Sequence, residues 1–259
     1  MAGHNKWSKI KHRKAAVEKK KTKLWSKISR AIMVAARNGG GDPASNLSLR
    51  YAIDEARYAN MPRDTIERAI KKGTGEGDTS SFETIRYEGY GPGGSALIID
   101  ALTDNRTRTI NDVRLAFTDA GGNVGASGCV AYMFHARGTI VITSTAPGAP
   151  LTEDRAMELG LDAGAIDVRP LGTDEDDRPV FLVLTSVEGF ESAKKSLEAA
   201  GVSIREARLS MEPETRVTLS GESAETFNAL VDALEDLDDV QNVYTNADTA
   251  GDPSGESDA

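Results

Sequence analysis

The chain has 259 residues, one cysteine and a formal net charge of −9. That length is sufficient for two or three domains with a sizeable core. The single cysteine, Cys129, excludes an intrachain disulfide, no apolar run reaches the length of a membrane span, and the basic N-terminus lacks the apolar core of a signal peptide. We therefore expect a cytoplasmic protein.

Positive and negative charges lie in different parts of the chain. Residues 1–80 carry 18 Lys/Arg and 8 Asp/Glu, a net of +10, whereas residues 81–259 carry 13 and 32, a net of −19. Residues 1–27, which we call the basic arm, hold ten Lys/Arg and one acid, Glu18. A basic arm on an acidic body predicts a polyanionic partner for the arm.

Three short amphipathic helices are predicted in the basic part of the chain. Apolar residues recur with a helical period from about Ala15, and a glycine run after Asn38 ends this first helix. A second helix is predicted over residues 45–59, and a third begins at Pro62. With the basic arm and a Gly-, Ser- and Thr-rich linker, these helices form a predicted domain over residues 1–81.

Beyond residue 82 the pattern changes to alternating strands and helices. Strands are predicted at 95–102, 130–134, 138–143, 165–171, 180–185, 202–209, 216–219 and 240–245, and helices from Thr109 and at 153–163, 190–200 and 224–237. Residues 138–209 alone have the order β-α-β-β-α-β, which is ferredoxin-like. The β-α-β units on either side of them join into a second unit of the same order.

The predicted fold class is therefore α+β, with an N-terminal three-helix domain followed by two ferredoxin-like α+β domains, one inserted into the other. The outer domain is predicted over residues 82–135 plus 210–246, and the inserted domain over 136–209. Residues 247–259, rich in Asp, Gly and Ser, are predicted to be a disordered acidic tail.

The candidate nucleic-acid ligands are mainly cations, because Lys and Arg neutralise phosphates and release counterions, while an aromatic ring can stack on bases. They are Lys6, Trp7, Lys9, Lys11, His12, Arg13, Lys14, Lys19, Lys20, Lys21, Lys23, Lys27, Arg30, Lys71, Lys72, Arg106 and Arg108. A solvated basic tail is the alternative for the arm, and Trp25 is favoured as a core residue. Lys71 and Lys72 also suit a helix C-terminus, and Thr109 is a candidate N-cap.

Catalytic and metal-binding chemistry is not expected. His4, His12 and His135 lack metal-ligand spacing, and Cys129 begins a hydrophobic stretch typical of a core thiol. The acidic run at 174–177 lacks the spacing of a calcium loop, and the glycine-rich segments lack the context of a phosphate loop. We predict no enzyme activity, no cofactor, no metal and no small-molecule substrate.

Six segments carry a resemblance to a known family. They are MAGHNKWSKIKHRKAA (1–16), NMPRDTIERAIKKG (60–73), YEGYGPGG (87–94), DNRTRT (104–109), GGNVGASGCV (121–130) and LDAG (161–164). Together they resemble the YebC/PmpR-type family of bacterial proteins over residues 1–245. Cys129 replaces the family's usual small hydroxyl residue, and Thr107 replaces its commoner Asn.

The resemblance implies a three-domain, non-enzymatic, cytoplasmic protein that binds DNA and regulates transcription. It also implies an alternative, because mitochondrial relatives are translational activators of cytochrome c oxidase subunit I and bacterial relatives are linked to ribosomes stalled on proline-rich sequence. Under that alternative the partner is ribosomal RNA on the ribosome. We expect no membrane partner and a monomer.

From the residues, we expect the arm and the helical domain to clamp a nucleic-acid backbone, with Arg106 and Arg108 in the same cleft. No recognition helix in a helix-turn-helix frame is evident, which favours backbone or shape recognition and hence structured RNA. The family description favours DNA. An enzyme or small-ligand sensor in the ferredoxin-like domains would need a polar pocket, for which the sequence offers no residues.

Overall fold

A computed structural model describes residues 14–75, 82–144 and 151–249, with the side chains of the first helix described from Lys21 onward. Three helices come first: α1 (Lys14–Gly39), α2 (Leu47–Tyr58) and α3 (Arg63–Thr74). Their apolar stripes meet in one core that includes Ile32, Leu49 and Ile66, as the helical periodicity predicted.

Two local features set the helix ends. Asn46 caps α2 by accepting a hydrogen bond from the Leu49 N–H at 3.1 Å. The amide of Asn46 also donates to the carbonyl oxygens of Ala35 and Gly40, at 2.7 and 2.8 Å, and so ties the end of α1 to the start of α2. Pro62 precedes α3, where its missing N–H costs nothing.

From residue 82 onward the described chain contains both strands and helices. The strands are β1 (Glu83–Tyr90), β2 (Ala96–Thr103), β3 (Asn123–Val124), β4 (Phe134–Thr143), β5 (Asp167–Thr173), β6 (Pro179–Thr185), β7 (Ser203–Pro213), β8 (Val217–Leu219), β9 (Val240–Thr245) and β10 (Ala247–Thr249). The helices are α4 (Arg106–Asp119), α5 (Glu153–Asp162), α6 (Phe190–Ala199) and α7 (Gly221–Glu235). None of the helices in these described ranges is long and apolar enough to cross a membrane.

The strands form two four-stranded sheets and one small pair. The first sheet has the order β3-β1-β2-β9, and a core that includes Phe117 of α4 and Phe227 of α7 covers one of its faces. The second has the order β5-β6-β4-β7, all antiparallel, with α5 and α6 on one face. This is the ferredoxin-like arrangement predicted for the middle of the chain, and the α+β fold class is confirmed.

The two sheets are joined by continuous strands. β4 spans the predicted boundary at 135/136, and β7 spans the one at 209/210. The division into an outer domain and an inserted domain at those residues therefore remains a proposal, with each boundary inside a strand.

One predicted strand is absent, and one strand of the first sheet was not predicted. Residues 130–133 do not form a strand, because the N–H groups of Val130 and Ala131 donate to the Glu88 carboxylate and Ala131–Met133 form a 3₁₀ turn; Phe134 instead begins β4. β1 was not predicted, because its charged residues obscure the apolar alternation. Its Arg86 pairs with Asp100 on β2 through two hydrogen bonds of 2.7 and 2.9 Å.

Two further boundaries differ from expectation. The helix predicted to begin at Thr109 begins at Arg106, because Asn105 is its N-cap and accepts from the Arg108 N–H at 3.1 Å. The predicted disordered tail begins too early, because Ala247–Thr249 form β10 and pair in parallel with β8. Ala247 is buried in the core of the first sheet, which accounts for the order of this segment. Residues 250–259 lie outside the described part of the chain.

Candidate nucleic-acid interface

Many of the predicted nucleic-acid ligands precede the described side chains. Lys6, Trp7, Lys9, Lys11, His12 and Arg13 lie outside the described residues, and the side chains of Lys14, Lys19 and Lys20 at the start of α1 are likewise not described. Side-chain contacts of the candidate ligands are therefore described from Lys21 onward.

Three cations of α1 contact the C-terminal end of α7 and the residues that follow it. Lys23, Lys27 and Arg30 are spaced four and three residues apart, so they lie on one face of α1. They face residues 236–239, Asp-Leu-Asp-Asp, which we call the acidic turn. A helix C-terminus carries partial negative charge on its free carbonyl groups, so this pairing is electrostatically favourable.

Each of these cations has a defined partner. The Lys23 ammonium donates to the carbonyl oxygen of Asp236 and, at 3.2 Å, to its carboxylate. Lys27 donates to the carbonyl oxygen of Glu235 at 2.7 Å. Arg30 donates to the carbonyl oxygen of Asp238 at 2.8 Å and to the carboxylate of Asp239 at 3.1 Å. Cations predicted to bind nucleic acid thus bind the body of the same chain.

Lys27 is the most desolvated of these ammonium groups. Burial, reinforced by the neighbouring charge of Lys23, lowers the pKa of Lys27 from 10.5 to about 8, and the carboxylates of Glu235, Asp238 and Asp236 only partly oppose that effect. This lysine is therefore partly neutral at mildly alkaline pH.

Asp239 lies at the centre of the contact. Its carboxylate accepts hydrogen bonds from Arg108 at 2.7 Å, Thr109 at 2.8 Å and Thr103 at 3.1 Å, in addition to that from Arg30. Burial alone would raise the pKa of Asp239, but the bonds from Arg108, Thr109 and Thr103 outweigh burial and hold it below its ordinary value. Asp239 was not predicted from the sequence.

The contacts of Arg108 and Thr109 differ from the phosphate binding predicted for Arg108 and the N-cap predicted for Thr109. Arg108 bridges Asp239 and Asp104, with a hydrogen bond of 2.8 Å to the latter. Thr109 is buried inside α4 rather than at its N-cap, and its hydroxyl donates to Asp239. Within residues 104–109, Arg108 and Thr109 therefore bind the acidic turn.

A cleft of about 560 Å³ opens between α1, α4 and the acidic turn. Its lining includes Lys23, Arg30 and Arg108 but also Asp112 and three aspartates of the acidic turn. Arg106 is not among the lining residues, and lies 3.7 Å from the carboxylate of Glu83 with 67% of its side chain exposed. Arg106 and Arg108 were expected to line the same cleft, whereas only Arg108 lines this one. The cleft carries both signs of charge.

The remaining described candidates are exposed cations. Lys71 and Lys72 lie on the surface at the end of α3, and Lys21 is exposed on α1. The Lys21 ammonium lies 5.0 Å from the ring centroid of Trp25. The indole of Trp25 donates to the carbonyl oxygen of Ala59 at 3.0 Å and packs against the helical core, as expected for a core residue.

A second buried acid organises the glycine-rich segment 121–130. Glu88 accepts hydrogen bonds from the backbone N–H groups of Gly128, Val130 and Ala131, at 2.7, 2.9 and 2.8 Å. Burial would raise the pKa of Glu88, but these three bonds hold it below its ordinary value. The segment is thus shaped by a structural acid, which the sequence analysis did not identify.

No group of three or more His, Cys, Asp or Glu residues in the described ranges is arranged to hold a metal ion. Cys129 is partly buried, and burial raises the pKa of its thiol. A raised pKa disfavours the thiolate, which is the reactive form of cysteine.

Comparisons with known proteins cover nearly the whole chain. The family model described as the TACO1/YebC protein N-terminal domain matches residues 5–76, and the model described as the TACO1/YebC second and third domain matches residues 82–247. Probable transcriptional regulatory proteins of Desulforapulum autotrophicum and Idiomarina loihiensis are 49% and 50% identical over 248 residues, with 96% of each chain covered. A crystal structure of a conserved hypothetical protein from Aquifex aeolicus is 43% identical, with a TM-score of 0.81 over 94% of this chain and 97% of that one.

Proposed function

Because this chain belongs to the TACO1/YebC family, we propose that it is a non-enzymatic regulatory protein that binds nucleic acid through its basic arm. The observation that carries the proposal is the density of cations in residues 6–21, where eight Lys/Arg accompany one acid, Glu18. Such a density neutralises several consecutive phosphates and exceeds what solubility requires. A cytoplasmic location is part of the same proposal.

Three cations of α1 have partners within the chain, which directs the proposal to the cations that precede them in the sequence. Lys23, Lys27 and Arg30 in the middle of α1 are held by the end of α7 and the acidic turn. Lys21 is exposed. We infer that the middle of α1 anchors the helix and that the preceding residues contact phosphate.

This division also gives the anchoring contacts a function. α1 has 26 residues, so it is about 39 Å long at 1.5 Å per residue. A helix fixed near its middle to α7 presents its N-terminal turns in a constant direction. Nucleic acid bound there meets a pre-oriented set of charges, which reduces the entropy lost on binding.

The first candidate for the bound polymer is DNA, with regulation of transcription as the outcome. This choice rests on the relatives, which are named probable transcriptional regulatory proteins at about 50% identity over almost the full chain. Their names concern those proteins, so the extension to this chain is our proposal.

The second candidate is structured RNA, with the ribosome as the site of action, and one structural observation favours it. The exposed face of α3 carries both signs of charge, including an Arg63–Glu67 ion pair at 2.7 Å, and α3 contains no Asn or Gln. Base reading in the DNA major groove typically uses Arg, Asn or Gln projecting from a helix that enters it. Recognition of a backbone or of RNA shape does not need such a helix.

The arm is tested by removing part of its charge. In the full chain, Lys6, Lys9, Lys11 and Arg13 are replaced by Gln, and affinity for a DNA duplex and for a ribosomal RNA hairpin is measured between 50 and 200 mM salt. For duplex DNA we expect the slope of log affinity against log salt to become shallower by up to about 4, because each phosphate contact contributes about 0.9.

The matched control carries the same change of net charge elsewhere. Arg63, Arg114, Arg155 and Lys195 are exposed on other elements and are replaced by Gln in a second variant. We expect this variant to keep the wild-type salt slope. An arm variant with unchanged affinity and slope would refute the proposed function. Crosslinking in cells, with sequencing of both DNA and RNA, then separates the two polymers: promoter peaks support DNA, and reads dominated by ribosomal RNA support the second candidate.

A further inference from the structure

A cluster of apolar side chains lies on the surface of the second sheet's helical layer. Seven large hydrophobic residues are exposed in the described part of the chain, and three of them fall within ten residues. These are Met157, Leu161 and Ile166, which are 49%, 76% and 56% exposed. Single exposed apolar residues are ordinary, but a contiguous group is typical of a binding surface.

Backbone geometry places the three side chains together. Met157 and Leu161 are four residues apart on α5 and therefore neighbours on one face. The chain then turns at Gly164, which has a φ of +77°, and the Ala165 N–H donates to the carbonyl oxygen of Gly160 at 2.8 Å. Ile166 precedes Val168 by two residues, so it points to the side of the sheet that α5 covers.

The apolar cluster is not needed for the core of this domain. Ala156 and Leu159 on the other face of α5 are buried against the second sheet. Gly160 brings α5 close to β5, because a Cβ at this position would lie 2.3 Å from a methyl group of Val168. The helix is thus already fully packed on one face, and Met157 and Leu161 project on the other.

The charged residues of α5 are predominantly acidic. α5 carries Glu153, Asp154, Glu158 and Asp162 against a single cation, Arg155, which pairs with Glu158. Asp154 and Glu158 each lie three residues before one of the apolar side chains. Asp162 lies in the last turn of α5, where a carboxylate is opposed by the helix dipole. Its position is therefore not explained by the stability of the helix.

We propose that Met157, Leu161 and Ile166, with Asp154, Glu158 and Asp162, form a docking surface for a basic amphipathic segment of a partner protein. The segment would insert one large apolar side chain between Met157 and Leu161 and place Lys or Arg beside the carboxylates. We call this surface the α5 patch. The proposal is independent of the nucleic-acid proposal, because the basic arm and the α5 patch share no residue.

Charge decides among the possible occupants of the α5 patch. Phosphates of nucleic acid and of anionic lipids are repelled by its carboxylates. A second copy of this chain that docked the same patch would place carboxylates against carboxylates, because such an interface is self-complementary. A cationic, partly apolar polypeptide satisfies both the apolar cluster and its rim.

The probe is a synthetic amphipathic helical peptide of Leu and Lys with one Trp, titrated against the full chain. Its matched control has the same apolar positions with Glu in place of every Lys. We expect the Lys peptide to bind the wild-type chain, and its affinity to fall at least tenfold in a Met157→Ser/Leu161→Ser variant, because a central apolar anchor carries a large share of binding energy. In an Asp154→Asn/Asp162→Asn variant we expect a weaker salt dependence of binding.

A further variant and a crosslinking measurement make the test specific. Leu115→Ser alters a residue of α4 that is 61% exposed outside the α5 patch, and it should bind the Lys peptide like wild type. Equal loss in Leu115→Ser, or equal binding of the Glu peptide, would overturn the α5 patch. In cells, a photo-crosslinker at position 161 should capture Lys/Arg-rich segments of another protein. Capture of residues 1–13 of this chain, or of nucleic acid, would instead count against a partner protein.

Discussion

Asp239 connects three separate parts of the described chain through one carboxylate. Arg30 reaches it from α1, Thr103 from the end of β2, and Arg108 and Thr109 from α4. The N–H of Leu102 also donates to the Asp239 carbonyl oxygen, at 2.7 Å. Buried carboxylates are stable only when charges and hydrogen bonds compensate their lost hydration, and here both do.

We expect Asp239→Asn to lower the free energy of unfolding by about 3 kcal/mol at pH 7, because it removes the charge and leaves Arg30 and Arg108 poorly paired in a partly buried site. Urea denaturation measures this change. Asp238→Asn is the control, since its side chain is 79% exposed and its ion pair with Lys23 is 4.0 Å long. That control should change stability by less than about 0.5 kcal/mol.

The same substitution has a defined pH dependence. The pKa of Asp239 is lowered in the folded state, so its stabilising contribution is present above the ordinary value of 3.8 and is lost as the pH falls through the lower folded value. The difference between wild type and Asp239→Asn should therefore shrink below pH 3.8. A difference that stays constant down to pH 3 would show that the carboxylate charge is not what the variant loses.

At the level of elements, the helical part depends on the close approach of α1 and α3. A Cβ on Gly73 would lie 2.4 Å from the carbonyl oxygen of Met33 and 2.9 Å from the Cβ of Ala36. Glycine is usually unfavourable inside a helix by about 1 kcal/mol relative to alanine. Its presence near the end of α3 is explained by this contact.

We expect Gly73→Ala to destabilise the chain by about 1–3 kcal/mol, because the overpacking outweighs the gain in helix propensity. Denaturation and hydrogen exchange of the α1 amides measure the effect. Lys72→Ala, one residue earlier on the exposed side, is the control and should stay within about 0.5 kcal/mol of wild type. Should Gly73→Ala be more stable than wild type, α1 and α3 are farther apart than described.

In the whole molecule, the described contacts include two regions where the helical part is held to the sheets and their helices. α1 binds α7 and the acidic turn through Lys23, Lys27 and Arg30. α2 binds the second sheet's layer, where Lys194 of α6 donates to Asp54 at 2.5 Å and the rings of Tyr51 and Phe190 meet edge to face at 5.6 Å. These attachments restrict rotation of the helical part relative to the two sheets, and so fix the direction of α1.

Lys27 makes the first attachment pH-dependent. Its pKa is lowered to about 8 in the folded state, so between pH 8 and 10.5 the unfolded chain binds more protons at this site and stability rises with pH. We expect the free energy of unfolding of wild type to increase by about 1–2 kcal/mol from pH 8 to 10 relative to Lys27→Met. Urea denaturation at several pH values measures the two slopes.

Lys21→Met is the control for this experiment, because Lys21 is an exposed cation on the same helix. It should keep the wild-type dependence on pH. Identical slopes for wild type and Lys27→Met would mean that burial does not perturb this ammonium. At pH 7 the Lys27→Met variant should differ from wild type by no more than about 1 kcal/mol, since losing the bond to Glu235 is offset by removing a desolvated charge.

The helices, most strands and the fold class followed from the sequence because they depend on neighbours a few residues away. The periodicity of α1 and the order of elements in residues 138–209 are local patterns, and they survive in the structure. β1 did not follow, because its charged residues are compensated by Asp100 on another strand. The strand predicted at 130–134 failed for the same reason, since Glu88 accepts its N–H groups from a distance of about forty residues.

The order of residues is enough to show that the cations are concentrated at the start of the chain and that the body is acidic. Which of these cations already have partners depends on the folded chain. Arg30 and Arg108 meet Asp239 across 209 and 131 residues of chain, and no local pattern encodes such a contact. Net charge can be counted from the sequence alone. A salt bridge depends on the distance between two side chains, which the fold sets.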